Sequence, residues 1–273
     1  MVNILSSRDT RVDTVTEPRW IALEGAANVR DVGGLPTTHG GVVKRHRLIR
    51  ADNLQDLSAV DVRHLVDEIG VRAVADLRAE TEVEATGPGP LTREPLIRIE
   101  HLSVLPVAGK RTDVATEADA PRRLPSSAPE RRSMTVNSYL RYLSERPDSV
   151  VAALRLMATT DGATVVHCAA GKDRTGVVVA VALDEIGVDR SAIVADYARS
   201  SERTAEIVAR LAATPVYAPD LVGKTVDSHA VRPQTMEGFL AELDARFGGA
   251  AGWLREQGWC DDDHDALARQ LVH

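Results

Sequence analysis

Two apolar runs, Ala163-Thr164-Val165-Val166 and Val177-Val178-Val179-Ala180-Val181-Ala182-Leu183, flank His167-Cys168-Ala169-Ala170-Gly171-Lys172-Asp173-Arg174-Thr175-Gly176. The first run is short and rich in β-branched residues, which predicts a buried strand. The second is longer and leads into Asp184-Glu185-Ile186-Gly187, which predicts a buried helix closed by a glycine. A buried strand turning through a glycine-containing loop into a buried helix is a unit of an α/β sheet. It also has an electrostatic consequence. Backbone N–H groups of such a loop and of the first helical turn converge on one point and favour an anion there.

The polar residues of the loop suit that field. Cys168 stands at its start, where thiolate is favoured over thiol. Arg174, six positions later, carries a planar fork that grips two oxygens of a phosphoryl group, which lysine cannot do. A cysteine closing a buried strand is often no more than a small apolar side chain. That reading leaves Lys172, Asp173 and Arg174, three charges between two buried elements, without a purpose. Attack of sulfur on phosphorus accounts for them all. Cys168 is then the nucleophile and forms a phosphocysteine, which splits one hard hydrolysis into two easier steps. Backbone N–H groups from Ala169 to Arg174 hold the equatorial oxygens. Ala169, Ala170, Gly171, Lys172, Thr175 and Gly176 complete the phosphate-binding set, with the Thr175 hydroxyl aimed at the thiolate.

The leaving oxygen needs a proton in the first step, and water must lose one in the second. Trp20, Trp253 and Trp259 are not followed by Pro-Asp, so no Trp-Pro-Asp loop offers an acid. Asp173 is therefore the first candidate acid. Asp76, at a strand end, is the second, and pairing with an arginine is its simpler role. His167 is expected to hold the loop through hydrogen bonds, and Arg30 and Asp31 to form a buried structural pair. Asp261-Asp262-Asp263-His264-Asp265 reads as carboxylates complementing a helix N-terminus, so no metal and no cofactor is assigned.

Composition narrows the classes further. The chain has 273 residues, 44% hydrophobic but only 3% aromatic, so its core is mostly aliphatic. A net charge of −7 and a pI near 5.6 argue against nucleic acid as a partner. Cys168 and Cys260 are too few for a disulfide framework, and a catalytic thiol must stay reduced, which makes the cytoplasm the default location. The N-terminus lacks the apolar region of a conventional export signal, and no apolar run approaches membrane-spanning length.

Residues 1–20 are polar and expected to be flexible; 21–273 are read as one domain. Gly33-Gly34 and Gly40-Gly41 punctuate the next segment, with Val42-Val43 and Leu48-Ile49 predicted as a hairpin-like pair of strands. Ser58 and Asp61 resemble a capping box opening a helix that stops at Gly70. Strands are predicted over Val71–Leu77 and Leu96–Ile99. From Ala108 to Ser133 clustered prolines and arginines show no apolar periodicity, and this stretch is read as a structureless lid, part of an insertion over 108–145. Helices are expected at Met134–Leu143 and Asp148–Ala158. Beyond the motif the chain reads as helix throughout: Arg190–Ser200, Glu202–Ala213, Gln234–Phe247, Ala250–Gln257 and Asp262–Val272.

The signature His-Cys-x-x-Gly-Lys-Asp-Arg-Thr-Gly resembles that of the atypical bacterial lipid and protein-tyrosine phosphatases. Asn28-Val29-Arg30-Asp31-Val32-Gly33-Gly34, Arg50-Ala51-Asp52-Asn53-Leu54, Val74-Ala75-Asp76-Leu77-Arg78 and Val194-Ala195-Asp196-Tyr197-Ala198-Arg199-Ser200 are similar to other stretches of that family, so the likeness covers most of the chain. The resemblance implies a cysteine-phosphatase-like α/β fold, a partly parallel central sheet flanked by helices, with a lid insertion and a helical C-terminal third. It implies metal-independent hydrolysis of phosphotyrosine, extending to phosphoserine, phosphothreonine and phosphoinositides. It also implies export without a conventional signal peptide as an alternative to a cytoplasmic location. Lys172 matches a lysine that phosphoinositide phosphatases use for a second phosphate. The chain departs from one mycobacterial member of the family in two places. Ala169 stands where that protein has an aromatic, and His101–Val107 lacks the carboxylate it carries after the corresponding strand. Two other classes use a comparable loop, a phospho-ligand-binding pseudoenzyme and a sulfurtransferase. The intact Cys168 and Arg174 speak against the first, and the Lys172-Asp173-Arg174 run against the second.

Overall fold

A computed structural model describes residues 20–105 and 128–273. Five strands form one sheet: β1 (Arg30–Asp31), β2 (Leu48–Ala51), β3 (Val71–Asp76), β4 (Arg98–His101) and β5 (Ala163–His167), in the order β1-β2-β5-β3-β4. Only β1 runs antiparallel to its neighbour; the other pairings are parallel. The expected α/β class and partly parallel sheet are found. β5 lies in the middle and all five of its residues are buried. Alternation along it separates two cores, with Ala163 and Val165 in one and Val166 in the other.

The helices are α1 (Ala59–Arg63), α2 (Glu80–Thr86), α3 (Ala128–Glu145), α4 (Pro147–Thr159), α5 (Asp173–Glu185), α6 (Arg190–Ala198), α7 (Thr204–Ala213), α8 (Ala218–Leu221), α9 (Pro233–Phe247), α10 (Ala250–Glu256) and α11 (Asp261–Leu271). α1 continues as a π-helical turn, His64–Glu68, and packs under one face of the sheet. Helices α3, α4, α5, α9, α10 and α11 contribute to the core on the other face. The capping box forms as read: the Asp61 amide donates to Ser58 Oγ at 3.2 Å, and the Ser58 amide to Asp61 at 2.9 Å. Asp263 closes a similar helix start at α11 and pairs with Arg155.

Several boundaries differ from the sequence reading. β1, not Val42-Val43, is the antiparallel partner of β2. Val42 bridges Pro36 and Val43 bridges Val272, because a two-residue apolar pair carries no information about a partner at the far end of the chain. β4 begins two residues later than Leu96. Residues 128–133, read as structureless, form the first turns of α3; Pro129 sits where a missing N–H does no harm to a helix. The remainder of the lid assignment, 106–127, and the flexible N-terminus, 1–19, lie outside the described residues.

Candidate active site

β5 delivers His167 and the loop after it to the C-terminal edge of the sheet, where open parallel sheets bind ligands. Four successive carbonyls of this loop are held by donors. Ala169 O accepts the Asn53 amide at 3.1 Å, Ala170 O the Asn28 side-chain amide at 2.9 Å, Gly171 O the Arg50 guanidinium at 3.0 Å, and Lys172 O the Gly176 amide at 2.9 Å. The amides of Ala169, Ala170, Gly171, Lys172 and Asp173 donate no hydrogen bond among the described residues. Holding the carbonyls leaves the N–H groups to an incoming anion. Gly171 makes the loop possible. Its φ is 67°, and a Cβ there would lie 2.5 Å from Ala51 O.

Asp196, on α6, locks the donors in turn. It takes Arg50 at 2.6 Å and Arg30 at 2.9 Å, and Arg30 also holds Asn28 Oδ1 at 2.8 Å. Burial pushes the Asp196 carboxyl up, but the two guanidinium groups outweigh it and hold it at about 2. The Arg30–Asp31 pair expected from the sequence is absent. Neighbours on a strand point to opposite faces, so Asp31 instead accepts the amides of Gly33 and His46. The Asn28, Arg50 and Asp196 stretches quoted above thus meet beneath one loop.

Cys168 is 1% exposed, and Thr175 Oγ1 donates to its sulfur at 3.2 Å. Arg174 is fully buried and donates to Glu82 at 2.5 and 2.9 Å, a two-pronged pair that fixes the plane of the guanidinium. Sequence reasoning missed Glu82. It stands in the first turn of a short helix, where an acidic residue passes for a dipole partner, and it also accepts the Ala79 amide at 2.6 Å. Thr175 lies where it was expected. Gly176 gives its amide to the helix, and its lack of a side chain makes room for Tyr197, whose ring carbon would lie 2.9 Å from a Cβ.

Asp173 opens α5, half-buried. Lys172 Nζ lies 2.9 Å from one carboxylate oxygen, and the Tyr139 hydroxyl donates to the other at 2.5 Å. Burial pushes this carboxyl up, yet Lys172, Tyr139 and Arg174 together hold it below the ordinary carboxylate range. Asp76 closes β3. It pairs with Arg78, and its carboxyl is held well below the usual range by His167 and Arg78 against the effect of burial. His167, buried against Asp76 at 3.5 Å, is pushed down to about 4 by desolvation and stays neutral. Tyr217, Ile207 and Leu211, from α7 and the turn after it, pack on Ala169 and Ala170 and cap the loop from the C-terminal side. Nothing in their sequence marked them for this. Among the described residues no group of three or more His, Cys, Asp or Glu side chains is placed to hold a metal ion.

A cysteine–arginine loop between the central strand and a buried helix of a mostly parallel sheet defines a cysteine-phosphatase-like fold. Residues 21–273 match the tyrosine phosphatase family, and the chain belongs to that family. It is 31% identical over 271 residues to the triple specificity protein phosphatase PtpB of Mycobacterium tuberculosis, covering 86% of this chain and 93% of that protein. It is 28% identical over 294 residues to a tyrosine-protein phosphatase of Nostoc commune, covering 98% and 94%. The chain is accordingly a phosphatase.

Proposed function

We propose that the chain hydrolyses phosphotyrosine, and with it phosphoserine, phosphothreonine and phosphoinositides, through a phosphocysteine on Cys168, as one phosphatase domain over residues 21–273. The observation that carries this is the loop itself, with its carbonyls tied back, five amides unused among the described residues and a sulfur at its floor. In the first step Sγ attacks phosphorus as the ester P–O bond breaks, and the leaving oxygen takes a proton from Asp173. In the second, water attacks phosphorus, gives its proton to Asp173, and the P–S bond breaks to return the thiolate and release phosphate. The loop amides and Arg174 hold the three equatorial oxygens throughout. The environment of Asp173 favours its ionised form, which suits the second step. A dianionic phosphoryl group beside it favours protonation, which suits the first.

Lys172, at the lip of the loop, suits a second phosphate, and the name of the mycobacterial relative supports a broad substrate range. No described helix is long and apolar enough to cross a membrane. A reducing cytoplasm, where Cys168 stays reduced, is the location this chemistry favours. Phosphate release from tyrosine and serine phosphopeptides and from phosphoinositide vesicles, compared between the wild type and Cys168→Ser, tests the reading. Turnover of phosphotyrosine that vanishes in the variant is expected; turnover retained there would overturn it.

A further inference from the structure

Tyr139 lies on α3, away from the loop in sequence, and is 1% exposed. Its ring stacks on Tyr142 at 6.0 Å and meets Phe239 and Tyr197 edge-on at 5.9 and 6.4 Å, so its rotamer is fixed by packing. Its hydroxyl touches two polar atoms, Asp173 Oδ1 at 2.5 Å and the Tyr197 hydroxyl at 2.7 Å. Donor accounting gives the chain a direction. An ionised Asp173 only accepts, so the proton of Tyr139 goes to it, and Tyr139 in turn accepts from Tyr197. Gly176, in the motif, is what lets the Tyr197 ring sit this close.

We propose that Tyr139 is a positioning residue that holds Asp173 in the rotamer facing the phosphate loop and sets the pH at which that carboxyl exchanges its proton. The proposal rests on the reading of Asp173 as the proton donor and acceptor. Both oxygens of Asp173 are engaged, one by Lys172 and one by Tyr139, so the carboxylate cannot swing away from the loop without breaking a charge-assisted bond. The groups that face it among the described residues are Lys172 from the loop, Arg174 from α5 and Tyr139 from α3. Tyr197 from α6 and Arg50 from β2 act behind Tyr139. Lys172 and Arg174 are part of the phosphate site itself. Tyr139 is the neighbour that adjusts Asp173 without touching substrate. Both tyrosines resist ionisation, burial being the first cause, so Tyr139 stays a donor at working pH.

Two measurements on Tyr139→Phe, which keeps the ring packing, test this. The first is a carbon-13 NMR titration of the Asp173 carboxyl. Loss of one charge-assisted donor is expected to raise its midpoint by about one pH unit; an unchanged midpoint overturns the proposal whatever Asp173 does in catalysis. The second is the pH dependence of kcat/KM for phosphotyrosine. Its basic limb, set by loss of the proton from the acid, is expected to move up by about the same amount. It should vanish in Asp173→Asn, and Tyr139→Phe should add nothing in that background. A basic limb that survives Asp173→Asn refutes the reading of Asp173 as the acid, and the kinetic half of the proposal with it. A limb that vanishes in Asp173→Asn yet stays in place in Tyr139→Phe overturns the proposal alone. A uniform loss of rate in Tyr139→Phe with both midpoints unmoved reduces Tyr139 to a packing residue.

Discussion

Arg50 is buried between Asp196 and the carbonyl of Gly171, and its guanidinium does two jobs that a single charge cannot. Arg50→Lys keeps a cation near Asp196 and loses the second prong. The loop carbonyls are then freer to turn inward, and inhibition by inorganic phosphate is expected to weaken about tenfold, the worth of one hydrogen bond to a charged group. Unchanged inhibition would show that the loop holds its shape without Arg50. Glu82 sits under Arg174 in the same way. Glu82→Ala strands a buried guanidinium and is expected to lower unfolding free energy by about 3–5 kcal/mol, measured by urea denaturation, and to lower kcat by loosening the clamp. At this scale the sequence is legible only where residues are contiguous. Cys168, Asp173, Arg174 and Thr175 lie in one decapeptide, and the roles proposed for them are read from their order. Glu82, Arg50, Asp196 and Tyr139 reach the loop through tertiary packing, and no local pattern links a carboxylate in α2 to an arginine in α5.

Among the elements, β5 and α5 were legible because apolar runs of different length bracket a loop that neither strand nor helix accommodates. The capping box at Ser58 was legible because it is closed by residues three apart. The π-helical turn after α1, the partner of Val43 and the start of α3 were not, since each is decided by contacts far along the chain. The cap formed by α7 and the turn before α8 belongs to the same group: the sequence predicts a helix over Glu202–Ala213 but not its partner, and Ile207, Leu211 and Tyr217 bury against the phosphate loop. This gives a prediction about access. Leu211→Ala removes a buried side chain worth roughly 2–5 kcal/mol from that contact, and Cys168, now 1% exposed, should be alkylated faster by iodoacetamide. An unaltered alkylation rate would mean that the cap does not limit entry.

The whole molecule carries its acid sensitivity at the centre of the sheet. His167 is held neutral, at about 4 against an ordinary 6.5, because burial opposes its charge. The unfolded chain takes up a proton below 6.5 that the folded protein refuses, so stability falls as pH drops from 6.5 towards 4, by up to about 3 kcal/mol. Asp196 extends the loss. Its carboxyl lies at about 2 instead of 3.8, so its contribution, complete above 3.8, disappears as pH falls through 2. Urea unfolding between pH 7 and 4 should show this slope, and His167→Gln should flatten it; an unchanged slope would place the sensitivity elsewhere. The central proposed step is transfer of the phosphoryl group to the sulfur of Cys168. Acid-quenching the enzyme during turnover of phosphotyrosine and mapping the adduct by mass spectrometry tests it directly. A phosphoryl group on the peptide bearing Cys168, absent from Cys168→Ser, is the predicted result; phosphate on another residue, or turnover with no phosphoenzyme and full activity in Cys168→Ser, would contradict it.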